Sequence, residues 1–228
     1  MKKSVLLSIT LLIFILLTSC NIKEEVDPGD FVSYENGTEI KDIDGNIYHT
    51  INIGSQVWLV ENLKTTRFQN GDTITNSTTN KNLSCYCVYN SDTTLGNIYG
   101  NLYNSNAVSD KRNICPKGWR IPSERDIKIL INHLLNTSGA GNVLKESGAV
   151  HWGALNIHST NATGFTALPG GGFNFDFQRF DDLGKQGFWW LTDSGTINEV
   201  FLLTSSDPDA AYRNFFDGDF FSVRCFRN

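Results

Sequence analysis

The sequence is poor in charged residues and in methionine, and it contains no run of basic residues. Charged residues make up 19% of its 228 positions and the formal net charge is −5, so an extended basic surface of the kind that binds nucleic acid is not expected. Methionine occurs once, whereas aromatic residues reach 12% and glycine occurs 20 times. This composition favours short strands joined by many turns over a helical bundle.

Long apolar runs are also scarce. The clearest one, residues 5–17, has about a dozen residues, which is fewer than the roughly 20 that a membrane-spanning helix needs. Lys2 and Lys3 precede it, and residues 17–20 (Leu-Thr-Ser-Cys) resemble the lipobox of bacterial lipoproteins. We therefore predict that residues 1–19 form a lipoprotein signal peptide and that Cys20 is the site of lipid attachment, carrying acyl chains such as palmitate. An uncleaved signal anchor is the alternative.

Residues 20–36 are predicted to form an acylated, solvated linker. Within it, Lys23-Glu24-Glu25 resembles the signal that directs lipoproteins of the Bacteroidetes to the outer face of the outer membrane. We therefore predict a lipid-anchored protein of the outer membrane, exposed at the cell surface, whose partner through the lipid is the membrane. Residues 37–228 would then form one domain, because this length is enough to bury a sizeable core.

Cysteines beyond Cys20 are few and even in number. An even set in an oxidising compartment favours disulfides. A bridge between Cys85 and Cys87 would be strained because only one residue separates them. A bridge between Cys115 and Cys225 would close a loop of about 110 residues and stabilise the fold by roughly 4–5 kcal/mol. We therefore favour a Cys115–Cys225 disulfide, with Cys85 and Cys87 either a strained pair or two free thiols.

The sequence also lacks the usual patterns of catalytic and metal sites. No pattern around its histidines supplies a base for a nucleophilic cysteine. The spacing of Cys85 and Cys87 does not match a zinc site. The triple glycine at residues 170–172 lacks the Gly-Lys-Ser/Thr of a phosphate-binding loop and is interpreted as a place of close backbone packing or a bulge. We predict no catalytic residue, no metal and no cofactor.

Acidic residues occur at several turn-like positions. Residues 44–45 (Asp-Gly) lie between two alternating runs and predict a β-hairpin, and residues 54–55 (Gly-Ser) predict a second turn. A calcium-binding EF-hand loop would need more ligands than Asp42 and Asp44 provide, so we interpret both as turn residues. The same interpretation is given to the close acidic pairs of the late loops, which are Asp207/Asp209 and Asp217/Asp219.

Helical signals are confined to the middle of the chain. Ser123 is a good N-cap with Asp126 three residues later, and the apolar residues that follow repeat at helical spacing as far as Leu135. A second, short helix is predicted over residues 142–148. Residues 70–113 are rich in Asn, Ser and Thr and predict a long polar surface region, with residues 98–104 as a short buried piece.

Two adjacent tryptophans provide the ligand-binding candidates. Trp189 and Trp190 lie in a strand-like segment, so one indole is expected on each face of the strand. We predict that one ring belongs to the core. The other is a candidate for the surface, where an exposed aromatic ring would stack on a sugar.

Several segments together resemble the family named for the major paralogous domain of Fibrobacter succinogenes. In chain order they are DIDGNIYHTINIGSQVWLVENL (42–63), CPKGWRIPSERD (115–126), GFTALPGGGF (164–173), GFWWLTDS (187–194) and FSVRCFRN (221–228). The layout of these segments is similar to the C-type-lectin-like and formylglycine-generating-enzyme group. The resemblance implies an α+β fold, namely a compact C-type-lectin-like domain with two helices, mixed short strands and long surface loops.

The resemblance and the export signals together indicate a recognition module that is not an enzyme. Lectin-like calcium sites use Glu-Pro-Asn or Trp-Asn-Asp, and neither occurs, so we expect calcium-independent binding of polysaccharide or of a surface protein. A structural envelope component or adhesin subunit is the alternative. An enzyme of the formylglycine-generating type is disfavoured, because it relies on a late cysteine pair and Cys225 is the only late cysteine.

Overall fold

A computed structural model describes residues 35–134, 139–192, 198–216 and 218–227. This part of the chain is a mixed α/β structure made mostly of sheet. The predicted signal peptide, the acylation site Cys20 and most of the predicted linker lie outside the described residues. None of the described helices is long and apolar enough to span a bilayer.

Thirteen short strands and four α-helices are formed by the described residues. The strands are β1 Glu39–Lys41, β2 Ile47–Ile53, β3 Gln56–Leu59, β4 Thr75–Asn76, β5 Cys85–Cys87, β6 Leu102–Asn104, β7 Gly172–Asn174, β8 Arg179–Asp181, β9 Gln186–Trp190, β10 Asn198–Thr204, β11 Ala210–Phe215, β12 Phe220–Phe221 and β13 Phe226–Arg227. The helices are α1 Thr93–Tyr99, α2 Ser105–Ser109, α3 Glu124–Leu134 and α4 Ala140–Leu144, and a 3-10 turn covers Tyr89–Ser91.

The first sheet has the strand order β1-β2-β3-β13 and joins the two ends of the described chain. Its two hairpins confirm the predicted turns, because Lys41 pairs with Ile47 and Ile53 pairs with Gln56 across them. Asp42 is a turn residue as predicted: its carboxylate accepts hydrogen bonds from the backbone N–H groups of Asp44 and Asn46.

The other sheets have the orders β11-β10-β9 and β4-β5-β6-β12-β7-β8. Residues 70–113 supply three strands of the larger one, which were not predicted, but most of residues 70–84 are exposed, as expected of a polar surface region. The buried piece predicted at residues 98–104 is confirmed by β6, whose three residues are all buried. The prediction of two helices is wrong. Helices α1 and α2 have seven and five residues, which is too short for an apolar period to be seen, and the side chains of Asp92 and Asn104 cap them.

Helix α3 begins at the predicted cap. The hydroxyl of Ser123 donates to Asp126 Oδ2 at 2.6 Å and accepts from the Asp126 N–H at 3.4 Å. Apolar residues at helical spacing, including Ile127 and Leu130, are buried. Helix α4 ends at Leu144, four residues before the end of the predicted helix at residues 142–148. Lys145 is extended, and its ammonium donates to the carbonyl oxygens of Thr204 and Asp207.

The cysteines are arranged as the sequence favours. Cys115 and Cys225 form a disulfide with a Cα–Cα distance of 5.9 Å, which ties the segment before α3 to the last strand. Cys85 and Cys87 are both buried free thiols, which decides between the two alternatives left open for them. Since they are two residues apart on β5, they lie on the same face of that strand.

Candidate functional site

The two predicted ligand-binding tryptophans are both in the core. Trp189 is 2% exposed and Trp190 is 1% exposed, so the expectation that one ring lies at the surface is wrong. Their rings belong to different hydrophobic clusters, as expected for neighbours in a strand. Strand β9 lies between these clusters, and residue alternation predicts which face a side chain occupies but not whether that face is covered.

Both indoles are held by hydrogen bonds inside the protein. Trp190 Nε1 donates to the Tyr103 carbonyl oxygen at 2.6 Å, and Trp189 Nε1 donates to Asn62 Oδ1 at 2.8 Å. Asn62 Oδ1 also accepts from Arg224 Nη2 at 2.8 Å, and Arg224 Nη1 donates to the Phe165 carbonyl oxygen. We call Asn62, Trp189 and Arg224 the arginine centre.

The arginine centre is closed to ligands. Arg224 is buried, and its guanidinium lies 4.3 Å from the centre of the Phe165 ring. Burial lowers the pKa of Arg224 to about 9, with a smaller opposing effect of Glu61. Since its donors are directed at acceptors within the protein and aromatic rings cover it, we assign this centre to stability.

A small open cavity lies between strands β7, β8 and β12 of the larger sheet and strands β9 and β11. It has a volume of about 80 Å³. Four aromatic rings form its walls, and three carboxyl groups and an amide supply polar atoms. In chain order the lining residues are Gly172, Phe173, Asn174, Asp181, Asp182, Phe188, Phe215, Asp219 and Phe221, and we call this site the Asp219 pocket.

The triple glycine makes this pocket possible. Gly171 has a φ of +61°, and a Cβ there would lie 2.3 Å from the Asp181 carbonyl oxygen. A Cβ on Gly172 would lie 2.5 Å from the Phe221 ring. The interpretation of residues 170–172 as a place of close packing is therefore confirmed. Side chains at these positions would separate the strand that carries Phe173 from its neighbours.

Asp219 is the most deeply buried carboxyl group of the pocket. It is 2% exposed, and its Oδ1 accepts a hydrogen bond from the Phe175 N–H at 2.9 Å. Burial raises the pKa of Asp219 above its ordinary value, and the bond from Phe175 opposes this only in part. The Asp219 N–H donates to the Phe216 carbonyl oxygen, which agrees with its interpretation as a turn residue, and Asp217 of the same pair lies outside the described residues.

Two exposed phenylalanines neighbour the pocket in the chain. Phe216, which follows the lining residue Phe215, is 74% exposed, and Phe177, which lies three residues after Asn174, is 71% exposed. Sequence reasoning missed both. The available signal was the density of phenylalanine in the segments FNFDFQRF (173–180) and NFFDGDFF (214–221). A strand with one buried face buries only every second side chain, so some of these rings are expected to be exposed.

The polar side chains of the pocket are three carboxyl groups and one amide. The pocket contains no cysteine, histidine or lysine, so it offers neither a thiol nor an imidazole. Among the residues that the structure describes, no three His, Cys, Asp or Glu side chains come together to hold a metal ion. What remains is an apolar wall beside acceptors for hydrogen bonds, which is the chemistry of a polar ligand with an apolar face.

Comparison with known proteins gives one match. The family model of the Fibrobacter succinogenes major domain matches residues 51–227. That range includes the cavity, the exposed phenylalanines and the arginine centre. No curated protein and no solved structure matches the chain.

Proposed function

This chain belongs to the Fibrobacter succinogenes major domain family, and we propose that it is a surface-exposed bacterial lipoprotein that binds carbohydrate without catalysis. The proposed binding site is the Asp219 pocket together with Phe216. The proposal rests on one observation: aromatic rings and a buried carboxyl group line the same open cavity. The lining residue Phe215 is followed in the chain by Phe216, whose ring is exposed.

A sugar fits this arrangement because it has both apolar faces and hydroxyl groups. Carboxylate oxygens of Asp181, Asp182 and Asp219 are acceptors for hydroxyl donors, and charged acceptors make the stronger hydrogen bonds. Phenylalanine rings pack against the C–H face of a sugar ring. A cavity of about 80 Å³ is too small for a whole sugar, so we expect one substituent to enter it while the ring lies against Phe216.

We extend the proposal to a C-type-lectin-like arrangement of the domain. It is supported by the antiparallel pairing of β3 with the last strand, β13, in which Trp58 is opposite Phe226. The segment that begins α3 lies beside the same strand, since Arg120 and Phe226 form a β-bridge. Lipid attachment at Cys20 and location on the outer membrane remain part of the proposal and rest on the N-terminal sequence.

The proposal is tested on a glycan array with the full-length protein in detergent. Wild type is expected to bind a subset of glycans equally with and without a chelator. Phe216→Ala and Asp219→Asn are each expected to weaken binding about tenfold, the loss of roughly 1.4 kcal/mol. Ile157→Ala is the matched control for Phe216→Ala, because Ile157 is also exposed but neither it nor its neighbours in the chain line the pocket. Unchanged binding in both pocket variants would refute this assignment of the site.

An adhesin subunit is the second candidate, and one feature favours it. Val150, Leu155 and Ile157 are large apolar side chains exposed within a single connection between α4 and β7. A blank glycan array together with recovery of a surface protein in a pull-down assay would favour this candidate. A formylglycine-generating-type enzyme is less suited, because Cys225 is already bonded to Cys115.

A further inference from the structure

A second and larger cavity lies on the outside of the disulfide-linked segment, and we propose that it binds an acidic peptide segment of a partner protein. It has a volume of about 430 Å³. Its apolar lining is the exposed Ile43 together with the buried Ile114 and Pro116, and its rim carries the cations Lys41, Arg67 and Lys117. We call it the basic groove. It shares no lining residue with the Asp219 pocket, so the proposal does not depend on carbohydrate binding.

The two lysines of the rim are free to pair with a ligand. Neither Lys41 nor Lys117 has a salt-bridge partner among the residues that the structure describes, and both are exposed. Arg67 is already engaged, because its Nε lies 3.2 Å from Asp44 Oδ1. In a chain with a formal net charge of −5, two unpaired cations beside one cavity attract an acidic ligand that the rest of the surface repels.

The acidic lining residue does not compete for these cations. The Asp42 carboxylate accepts hydrogen bonds from the N–H groups of Asp44 and Asn46, from the Asn46 amide and from the Tyr48 hydroxyl. Each of its two oxygens accepts two hydrogen bonds from residues of the β1–β2 hairpin. Its lone pairs are therefore occupied by its own turn, and the lysines face the cavity without a partner.

The walls of the groove are held in place before any ligand binds. Gln69 Nε2 donates to the Cys115 carbonyl oxygen at 2.8 Å and to that of Pro116 at 3.1 Å. Gln69 N–H donates to the Asn113 carbonyl oxygen, and Cys115 is bonded to Cys225. A preformed site avoids the cost of ordering loops on binding, which favours a specific ligand over loose attraction of anions.

The apolar lining favours a peptide over an acidic sugar. Its side chains are aliphatic, and no aromatic ring lines the groove to receive the face of a sugar. Aliphatic side chains beside cations match a segment in which Glu or Asp alternates with Val, Ile or Leu. The carboxylates of such a segment pair with Lys41 and Lys117 at the rim, and its apolar side chains cover the exposed Ile43.

The test measures binding of a fluorescein-labelled peptide of about eight residues that alternates glutamate and valine. Fluorescence anisotropy is recorded with the full-length protein in detergent. Wild type is expected to bind this peptide, with affinity falling as salt is added, and to ignore a peptide that alternates lysine and valine. The double variant Lys41→Glu/Lys117→Glu is expected to lose about tenfold or more in affinity, because two attractive charges become repulsive.

Lys111→Glu/Lys185→Glu is the matched control, because both lysines are exposed and neither has a salt-bridge partner among the described residues. It makes the same change in net charge at two lysines that do not line the groove, and its affinity is expected to equal that of wild type. Equal losses in both double variants would overturn the proposal, since net charge alone would then explain binding. Binding of a sulfated polysaccharide but not of the acidic peptide, with the same dependence on Lys41 and Lys117, would also overturn it. Glycan binding by the Asp219 pocket is unaffected by either result.

Discussion

Arg224 and Asp219 are both almost completely buried, and their surroundings differ. Arg224 lies among Asn62, Trp189 and Phe165, and its hydrogen bonds end on the protein itself. Asp219 accepts one hydrogen bond from Phe175 and also borders an open cavity. Burial disfavours the charged form of both, because it lowers the pKa of Arg224 and raises that of Asp219.

The comparison separates a structural polar centre from a candidate binding centre. A buried charge whose hydrogen bonds are all made inside contributes to a unique packing arrangement and leaves nothing for a ligand. A buried charge at the edge of a cavity retains capacity for a ligand while it costs stability. Substitutions at the two centres should therefore have opposite effects on stability and on binding.

Arg224→Met should have the largest effect on stability. Removing the guanidinium leaves the Asn62 Oδ1 and the Phe165 carbonyl oxygen without their charged donor in the core, and we expect a loss of about 3 kcal/mol. Urea denaturation of the full-length protein measures it. Arg213→Met is the control, because Arg213 is exposed on β11, and its effect should stay within about 0.5 kcal/mol. A loss below about 1 kcal/mol at Arg224 would contradict the structural assignment.

Asp126→Asn should have an intermediate effect on the free energy of unfolding. It tests a buried carboxyl group whose hydrogen bonds, like those of Arg224, are made within the protein. Its carboxylate accepts from Arg120 Nη1 at 2.8 Å and from the Ser123 N–H at 2.7 Å. Burial acts to raise the pKa of Asp126, but these hydrogen bonds outweigh it and hold the pKa below its ordinary value. We expect the variant to lose about 1–2 kcal/mol at neutral pH.

The pH dependence of this contribution has a definite sign. Because the folded pKa of Asp126 is lowered, its stabilisation is present above the unfolded pKa of about 3.9 and is lost as pH falls through the folded value. Urea midpoints between pH 2 and 7 should therefore differ most between wild type and Asp126→Asn at neutral pH and converge in acid. A difference that does not shrink in acid would show that the ionised carboxylate is not what stabilises the helix start.

Asp219→Asn should have the smallest effect on stability and the opposite sign. Its folded pKa is raised, so its favourable contribution is present below the unfolded pKa of about 3.9 and is lost as pH rises through the folded value. The amide avoids a buried charge and can still accept from Phe175, and we expect a gain of less than about 1 kcal/mol at neutral pH. Thermal unfolding at pH 3 and pH 7 measures it. Destabilisation of Asp219→Asn at pH 7 would show that the Asp219 carboxylate has a structural role, like Arg224 and Asp126.

Local features were predictable because each depends on neighbouring residues. The hairpin at residues 44–45 follows from a turn pair between alternating runs, and the start of α3 follows from Ser123 and Asp126. The Cys115–Cys225 disulfide is not local and was favoured for a different reason, the stabilisation expected from a bridge that closes a loop of about 110 residues. Helices α1 and α2 were missed, since helices of seven and five residues carry too few turns for an apolar stripe.

The candidate binding site was predicted at the wrong residues for a physical reason. Trp189 and Trp190 were expected to divide between core and surface, but β9 is covered on both faces. The pocket instead combines two separate stretches of the chain, residues 172–188 and 215–221, which only the fold brings together. Only the exposed phenylalanines had a local signal, and their exposure depends on what packs around them.

The sequence by itself determined the turns and the capped start of α3, because these depend on backbone preferences and spacing over short stretches, and it favoured the Cys115–Cys225 disulfide through the gain expected from closing a long loop. Tertiary structure alone decided which aromatic rings are covered, that Asp219 borders a cavity, and that Lys41 and Lys117 lie beside one groove. Burial and proximity are properties of several segments packed together, and the free energy of a charge depends on that packing more than on its neighbours in the chain.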